Sequence, residues 1–317
     1  MANLRFDRDF FRIISAYPTD PPPPVKDVFD LRASTDVMIA AISSQIPVVP
    51  DVDETIIHFT TKDGASLQLY RFTPPGAKKA ATSRPAIVYI HGGGMVCGSV
   101  PIFKPSIIYY AAETGVTVYA VEYRLAPEFP FPTPVEDVYA AVEWLQSHAQ
   151  EQGVDPARIG LCGASAGGGI AAGVALMARD RALTPPLAKQ VLIYPMLDDR
   201  TDLPPENPLS PFLTWTTHNN RLGWDAYLGS DRTDVSPYAA PARATDVSRL
   251  PRTYIDVGGL DLFRDEDITY ASRLAAAGVD VELHVYPGLP HGWDMAAAHL
   301  EVTKRAEHNR VVALDDF

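Results

Sequence analysis

The chain has 317 residues, which is enough for one large α/β domain with an accessory lid or for two smaller domains. Hydrophobic residues make up 46% and charged residues 21% of the sequence, as in an ordinary globular protein with a sizeable core. The formal net charge of −12 argues against a general nucleic-acid binder, because phosphate contacts need clustered Lys and Arg.

The cysteines and the N-terminus bear on the cellular compartment. Cys97 and Cys162 each lie beside an apolar, glycine-rich segment, which favours small buried residues over a disulfide. No stretch approaches the roughly 18 apolar residues of a membrane span. Residues 1–7 carry early acids and no apolar signal-peptide core. We therefore expect a cytoplasmic, reduced protein without a membrane span.

The first fifty residues differ in pattern from the rest. Residues 6–17 predict a short amphipathic helix that ends at Pro18, and residues 30–46 predict a second helix. The prolines at 21–24 between them exclude regular helix or central strand. We predict that residues 1–50 form a flap, the N-terminal part of a cap. The alternative, a flexible interaction arm, fits the high aromatic content less well.

A hairpin and then an alternation of strands and helices follow. Residues 54–61 and 65–72 are rich in β-formers and flank a turn at residues 62–64. Helical patterns cover residues 135–148 and 265–277. Strands are predicted over residues 86–91, 116–123, 159–162, 190–194, 253–257 and 281–286. Several of them are continuous apolar runs, as expected for strands that are covered on both faces. This rhythm predicts an α/β fold with a mainly parallel sheet, its core formed by residues 51–196 and 251–317.

Residues 197–250 interrupt this alternation of strands and helices. They contain many prolines and several aromatic residues but no clear strand. A long segment of this kind usually carries function or its own helices. We therefore predict a cap or lid insertion here, with helices over residues 210–228 above the carboxyl ends of the strands. Phe212 and Trp215, which lie in this insertion, are candidate residues of a substrate pocket.

A serine stands at the centre of the sequence pattern. Gly163-Ala164-Ser165-Ala166-Gly167 follows an apolar strand and precedes a run of small residues that predicts a helix. A sharp strand–turn–helix of this type strains its central residue and needs glycine where a Cβ would collide. It also presents the serine hydroxyl above the sheet. Ser165 is therefore a candidate nucleophile.

A serine hydroxyl needs a base, and the base needs an orienting carboxylate. Among the histidines, His291 is the best placed because it follows the last predicted strand; His284 lies within that strand and reads as a packed or edge side chain. His58, His148, His218, His299 and His308 lie in the hairpin, helices or tail. For the carboxylate, Asp261 lies just past the strand that contains Asp256, and Asp265 reads as a helix cap. We predict His291 and Asp261.

A glycine-rich loop completes the candidate site. His91-Gly92-Gly93-Gly94 directly follows the strand over residues 86–91. Consecutive glycines expose backbone N–H groups that can stabilise an oxyanion. The alternative, a phosphate cradle, lacks support because the sequence has neither a Gly-Lys-Ser/Thr ending nor a dinucleotide-binding glycine pattern.

Taken together, these motifs resemble the hormone-sensitive-lipase-like family of α/β-hydrolase carboxylesterases. The matching motifs appear in the family's order, and they are HGGG at 91–94, YRLAPE at 123–128, GASAGG at 163–168, DLFRDE at 261–266 and HGW at 291–293. The resemblance implies an α/β-hydrolase fold with a helical cap. It implies Ser165 as nucleophile, His291 as general base and acid, and Asp261 as its orienter. It further implies an oxyanion hole formed by the N–H groups of Gly93, Gly94 and Ala166, with His91 and Gly92 as structural support.

Two positions depart from the family pattern. Ala164 stands where the family usually has Asp, and Met95 stands where an aromatic residue often follows the glycines. Ala164 removes a local hydrogen bond but no chemical step, so we still expect activity. Met95 is expected to alter the pocket beside the oxyanion loop, and we include it with the candidate pocket residues.

The sequence thus predicts a serine carboxylesterase that acts on a small-molecule ester of short or medium acyl chain through an acyl-enzyme. It needs no metal and no organic cofactor, since no Cys/His/Asp cluster has metal spacing. An amidase or peptidase with the same triad stays open. A small-molecule receptor on the same fold, which would lack the triad histidine, is disfavoured by His291. Family members are often dimers, so the resemblance also allows a homodimer.

Overall fold

The computed structural model describes residues 4–16, 25–46, 49–77 and 83–317. The predictions for Pro18, for the prolines at 21–24 and for the end of the first helix at residue 17 lie outside the described residues. Within the described part, an eight-stranded sheet has the order β1-β2-β4-β3-β5-β6-β7-β8. Its strands are β1 (Asp53–Thr60), β2 (Ser66–Thr73), β3 (Arg84–Ile90), β4 (Thr117–Val121), β5 (Val154–Ala164), β6 (Lys189–Ile193), β7 (Arg252–Gly258) and β8 (Val281–Tyr286).

The sheet is parallel except at one side. β1 pairs antiparallel with β2, and β2 pairs antiparallel with β4, whereas β4, β3, β5, β6, β7 and β8 are all parallel neighbours. The carboxyl ends of the parallel strands therefore meet at one edge. The prediction of a mainly parallel α/β sheet preceded by a hairpin is confirmed.

Helices cover both faces of the sheet. α3 (Val100–Thr114) and α10 (Glu301–Asp315) pack on one face, while α4 (Thr133–Ser147), α6 (Ala166–Asp180) and α8 (Arg264–Ala276) pack on the other. Successive side chains of a strand point to opposite faces, so Ile87 joins the core under α3 and α10, and Val88 joins the other core. The remaining α-helices are α1 (Arg8–Ile14), α2 (Val28–Ser43), α5 (Ala149–Gln152), α7 (Thr217–Leu228) and α9 (Trp293–Ala296).

Several element boundaries differ from the sequence predictions, for local reasons. α2 begins earlier than expected because Asp27 caps it, its carboxylate accepting hydrogen bonds from the amides of Phe29 and Asp30. The helices predicted over residues 210–228 are a 3-10 turn at Ser210–Phe212 and α7. Thr216 caps α7 by accepting a hydrogen bond from the amide of Asn219, which sets the start of α7.

Cys97 and Cys162 are both buried and free, as the sequence predicts. Burial raises the pKa of the Cys97 thiol to about 12, so this group stays protonated and behaves as a small apolar side chain. No helix within the described ranges has the length and apolar character that crossing a membrane requires.

Candidate active site

The turn between β5 and α6 holds Ser165 in a strained conformation. Its φ of 56° and ψ of −122° lie in a region that L-residues rarely occupy. Three backbone hydrogen bonds maintain it: the Ser165 amide donates to the Ile193 carbonyl, and the Ser165 carbonyl accepts from the amides of Gly169 and Met196. A Cβ on Gly163 would lie 2.2 Å from the Gly167 carbonyl oxygen, so only glycine permits this turn.

The three residues predicted as a triad are brought together at the carboxyl ends of the strands. The Oγ atom of Ser165 lies 2.9 Å from Nε2 of His291, and Nδ1 of His291 lies 2.7 Å from Oδ2 of Asp261. Asp261 is fully buried, and its other oxygen accepts a hydrogen bond from the Phe263 amide. The carboxylate is therefore fixed in orientation and desolvated, which suits it to fix the tautomer of His291.

Residues that the sequence analysis did not identify hold His291 in place. The rings of Tyr194 and Phe263 meet its imidazole edge to face, at centroid distances of 4.7 and 5.1 Å. The Thr214 hydroxyl, from the 197–250 insertion, donates to the His291 carbonyl. Tyr194 directly follows β6, and its place at a strand end is the signal that could have identified it.

The glycine-rich loop after β3 is supported by His91. The His91 side chain is fully buried and stacks on Tyr123 at a centroid distance of 4.3 Å. Burial lowers the pKa of His91 to about 4, so the ring is neutral near pH 7. In that state Nδ1–H donates to the Gly92 carbonyl at 2.8 Å, and the Tyr123 hydroxyl donates to the His91 carbonyl.

Backbone amides gather around the Ser165 turn. Gly93 and Gly94 have φ values of 120° and 59°, and the amides of Gly93 and Gly94 donate to no other backbone or side-chain group in the described residues. Ala166 is the first residue of α6, where the amide has no intrahelical acceptor and the helix dipole favours negative charge. These three amides are therefore available to an oxyanion.

The candidate pocket residues have different surroundings. Trp215 lies beside the oxyanion loop, since a Cβ on Gly94 would be 2.7 Å from its ring. Phe212 packs edge to face on Phe6 at 5.0 Å. Met95 is buried in the core, and its carbonyl accepts a hydrogen bond from the Ala126 amide. Their role in substrate binding stays a prediction.

The residues weighed against the triad have other partners. Asp256 is fully buried and bonds to the Arg310 guanidinium through both oxygens. Asp265 is exposed and pairs with Arg264; it lies in the first turn of α8 and does not cap it, because the helix begins at Arg264. His284 pairs with Glu282 near the edge of the sheet.

Known esterases are similar to this chain in sequence and in fold. The sequence profile of a family with the alpha/beta hydrolase fold matches residues 87–295. The esterase LipI of Mycobacterium tuberculosis is 37% identical over 299 residues, 92% of each chain. The carboxylesterase NlhH of the same species is 40% identical over 215 residues, 66% of each chain. The structure of a bacterial heroin esterase has a TM-score of 0.86 at 38% identity and covers 98% of this chain and 97% of its own. This chain therefore belongs to the hormone-sensitive-lipase-like family of α/β-hydrolases.

Proposed function

We propose that Ser165, His291 and Asp261 form the catalytic triad with which this chain hydrolyses carboxylic esters. The observation that carries the proposal is the continuous hydrogen-bonded chain from the Ser165 hydroxyl through His291 to the buried Asp261. Esterases and carboxylesterases at 37–40% identity support the same chemistry. The chain is a carboxylic-ester hydrolase.

In the acylation step, Ser165 Oγ attacks the ester carbonyl carbon while His291 Nε2 takes the hydroxyl proton. The carbonyl oxygen becomes an oxyanion, and the amides of Gly93, Gly94 and Ala166 stabilise it. The bond from carbon to the alcohol oxygen then breaks, and His291 gives its proton to the leaving alcohol. Asp261 stabilises the imidazolium in between without taking a proton itself.

In the deacylation step, a water molecule replaces the alcohol. His291 takes a proton from this water, whose oxygen attacks the acyl carbon, and the same amides hold the second oxyanion. When the bond to Oγ breaks, His291 returns the proton to Ser165 and the carboxylic acid leaves. His291 gives back every proton that it takes up, so the proposed steps balance with the residues of the site and one water molecule.

The residues around the site bear on the length of the acyl chain that it accepts. We propose that residues 1–50 and 197–250 form a cap over it, because Thr214 contacts His291 and Trp215 lies beside Gly94. The Trp215 ring lies beside Gly94, and we infer that it limits the length of the acyl pocket, which favours short or medium acyl chains. A panel of p-nitrophenyl esters from acetate to palmitate tests this preference, and the highest kcat/KM is expected at acetate or butyrate.

The nucleophile is tested by substitution and by labelling. Ser165→Ala is expected to lower kcat on p-nitrophenyl butyrate by at least about 10⁴-fold, because the triad acts as a unit. A fluorophosphonate is expected to add its mass to Ser165 of the wild-type chain. Ser147→Ala, which removes an exposed hydroxyl, is the matched control and should keep full activity. Full activity of Ser165→Ala, or a label on another residue, would contradict the mechanism.

The proposal also covers the oligomeric state and the cellular compartment. We propose that the chain forms a homodimer, which the family resemblance supports, and that it works in a reducing cytoplasm, which suits two free, buried thiols. Size-exclusion chromatography with light scattering tests the first point. Cell fractionation tests the second.

A further inference from the structure

A cavity of about 430 Å³ lies between the sheet and the helices α3 and α10. Its wall is rich in aromatic rings, which come from Tyr89, Phe103, Tyr109, Tyr110 and Tyr194. Ala164, the residue before the candidate nucleophile, contributes a small side chain to the same wall. Ser165, His291 and the glycines of the oxyanion loop are not among the described residues that line the cavity.

The charged groups of this cavity are mainly acidic. Glu113, Asp294 and Glu307 line it, together with the exposed basic residues Lys304 and His308. Lys304 is already paired with Glu301 at 2.7 Å. The buried Arg310 forms ion pairs with three carboxylates, those of Asp256, Asp294 and Glu307. The region therefore carries more negative than positive charge.

Glu307 is a largely buried carboxylate that shares its basic partner with two other carboxylates. Its Oε1 accepts from Arg310 Nη1 at 2.9 Å, and the Tyr110 hydroxyl lies within reach of the same carboxylate. Thr303 Oγ1, in the same cavity wall, has no hydrogen-bond partner within the described residues. Burial raises the pKa of Glu307 to about 7. A buried carboxylate is costly to desolvate, and a ligand that supplies positive charge would relieve that cost.

We propose that this cavity is a second binding site, separate from Ser165, that takes an organic ammonium ion with an apolar body. Aromatic faces attract a cation through their quadrupole, and a nearby carboxylate adds a direct charge interaction. A neutral aromatic ligand would not compensate the buried carboxylates, and an anion would be repelled by them. The cavity's volume allows a ligand of about ten to twenty non-hydrogen atoms by the usual dimensions of ligand sites.

Tyr194 connects this site with the candidate triad. Its ring lines the cavity and also meets the His291 imidazole at a centroid distance of 4.7 Å. Its hydroxyl donates to the Asp294 carboxylate, which lines the same cavity. A ligand in the cavity would therefore contact groups that hold His291 without contacting the reacting atoms.

Calorimetric titration with benzyltrimethylammonium tests the proposal directly. We expect one ligand to bind per chain, and we expect its uncharged carbon isostere, neopentylbenzene, to bind at least tenfold more weakly. Glu307→Gln keeps the side-chain shape and should weaken binding of the cation at least tenfold. Asp315→Asn removes an exposed charge on the same helix and should leave binding unchanged. Absence of binding to the wild-type chain would overturn the proposal, and so would equal affinity of the Glu307 variant.

A second variant and a kinetic readout locate the ligand. Ser106, on α3, lines the cavity, and Ser106→Trp should fill it, abolishing binding of benzyltrimethylammonium while hydrolysis of p-nitrophenyl butyrate continues. Saturating benzyltrimethylammonium should leave KM of the wild-type chain for p-nitrophenyl butyrate unchanged, because the ligand does not contact the reacting atoms. Purely competitive inhibition that persists in Ser106→Trp would place the ligand at Ser165 and overturn the proposal. Because binding is measured without turnover, failure here is distinguishable from failure of the proposed esterase mechanism.

Discussion

The triad end of the sheet and the helical segments proposed to cover it differ in what fixes their geometry. At the triad, neighbouring strand ends are joined through their own backbones: the Ser165 amide donates to the Ile193 carbonyl, and the Leu260 amide donates to the Leu289 carbonyl. The bonds at Ser165 fix the candidate nucleophile, and the bond between Leu260 and Leu289 fixes the loops that carry Asp261 and His291. The site's geometry thus follows from the fold itself.

The proposed cap is held by side chains instead. Arg32 of α2 donates to the carbonyls of Val96 and Ala126 and to the Glu128 carboxylate, while Asp36 accepts from the Gly98 amide. The same helix exposes large apolar side chains, namely Phe29, Val37 and Met38. A few long side chains can rearrange at small cost, whereas a strand-end backbone cannot. We therefore expect substitutions at the triad to abolish chemistry and substitutions in the cap to alter binding.

The largest effect is expected at Asp261. Asp261→Asn keeps an acceptor for the Phe263 amide but removes the negative charge that orients His291 and stabilises its protonated form. By the usual behaviour of such triads, kcat on p-nitrophenyl butyrate should fall about 10⁴-fold. Steady-state kinetics measure the loss. Asp265→Asn changes the exposed carboxylate that was weighed as an alternative to Asp261, and its kcat should stay within about twofold of the wild-type value. An Asp261→Asn enzyme with more than a tenth of the wild-type kcat would remove this residue from the proposed mechanism.

An intermediate effect is expected at His91, which supports the glycine-rich loop after β3 from within the core. Burial holds its pKa at about 4, below the ordinary value of 6.5. Between these two values the unfolded chain binds more protons than the folded one. The contribution of neutral, buried His91 to the free energy of unfolding is therefore fully present above pH 6.5. It is lost as the pH falls towards 4, by about 3 kcal/mol in total.

Urea unfolding at a series of pH values measures this change. Glu307, whose pKa is raised to about 7, shifts stability in the opposite direction over part of the same range, so the informative quantity is a difference. His91→Asn can still donate to the Gly92 carbonyl but does not titrate. The free energy of unfolding of wild type minus that of His91→Asn should decrease from pH 7 to pH 4. A difference independent of pH would show that the buried imidazole is not the titrating group.

The same contrast explains how far the sequence could predict the structure. Glycines, small residues and strand periodicity determine the turn at Ser165, because Gly163 admits no Cβ there. The order of the motifs along the chain then identifies His291 and Asp261. Tyr194, Phe263 and Thr214 were missed because their role depends on which side chains meet around His291 in space. The spacing of these residues along the chain gives no indication of their contacts with His291.

The proposed cap was predicted less well, for a physical reason. The extent of its helices depends on single capping side chains: Asp27 moves the start of α2, and Thr216 separates α7 from the preceding 3-10 turn. Hydrophobic periodicity is insensitive to such caps. The placement of Phe212 on Phe6 likewise depends on contact between the two distant segments of the proposed cap. Sequence reasoning could identify the segments but not their contacts.

The smallest effect is expected at the attachment of α2. Arg32→Ala leaves the Val96 and Ala126 carbonyls without their donor and breaks the pair with Glu128, whose pKa the Arg32 guanidinium holds at about 2. The free energy of unfolding should fall by about 1–2 kcal/mol. KM for p-nitrophenyl butyrate should rise severalfold with kcat nearly unchanged, because the triad's own hydrogen bonds remain. Arg12→Ala, which breaks an exposed pair on α1, should change neither parameter. A fall in kcat with constant KM would show that α2 supports the triad rather than covering it.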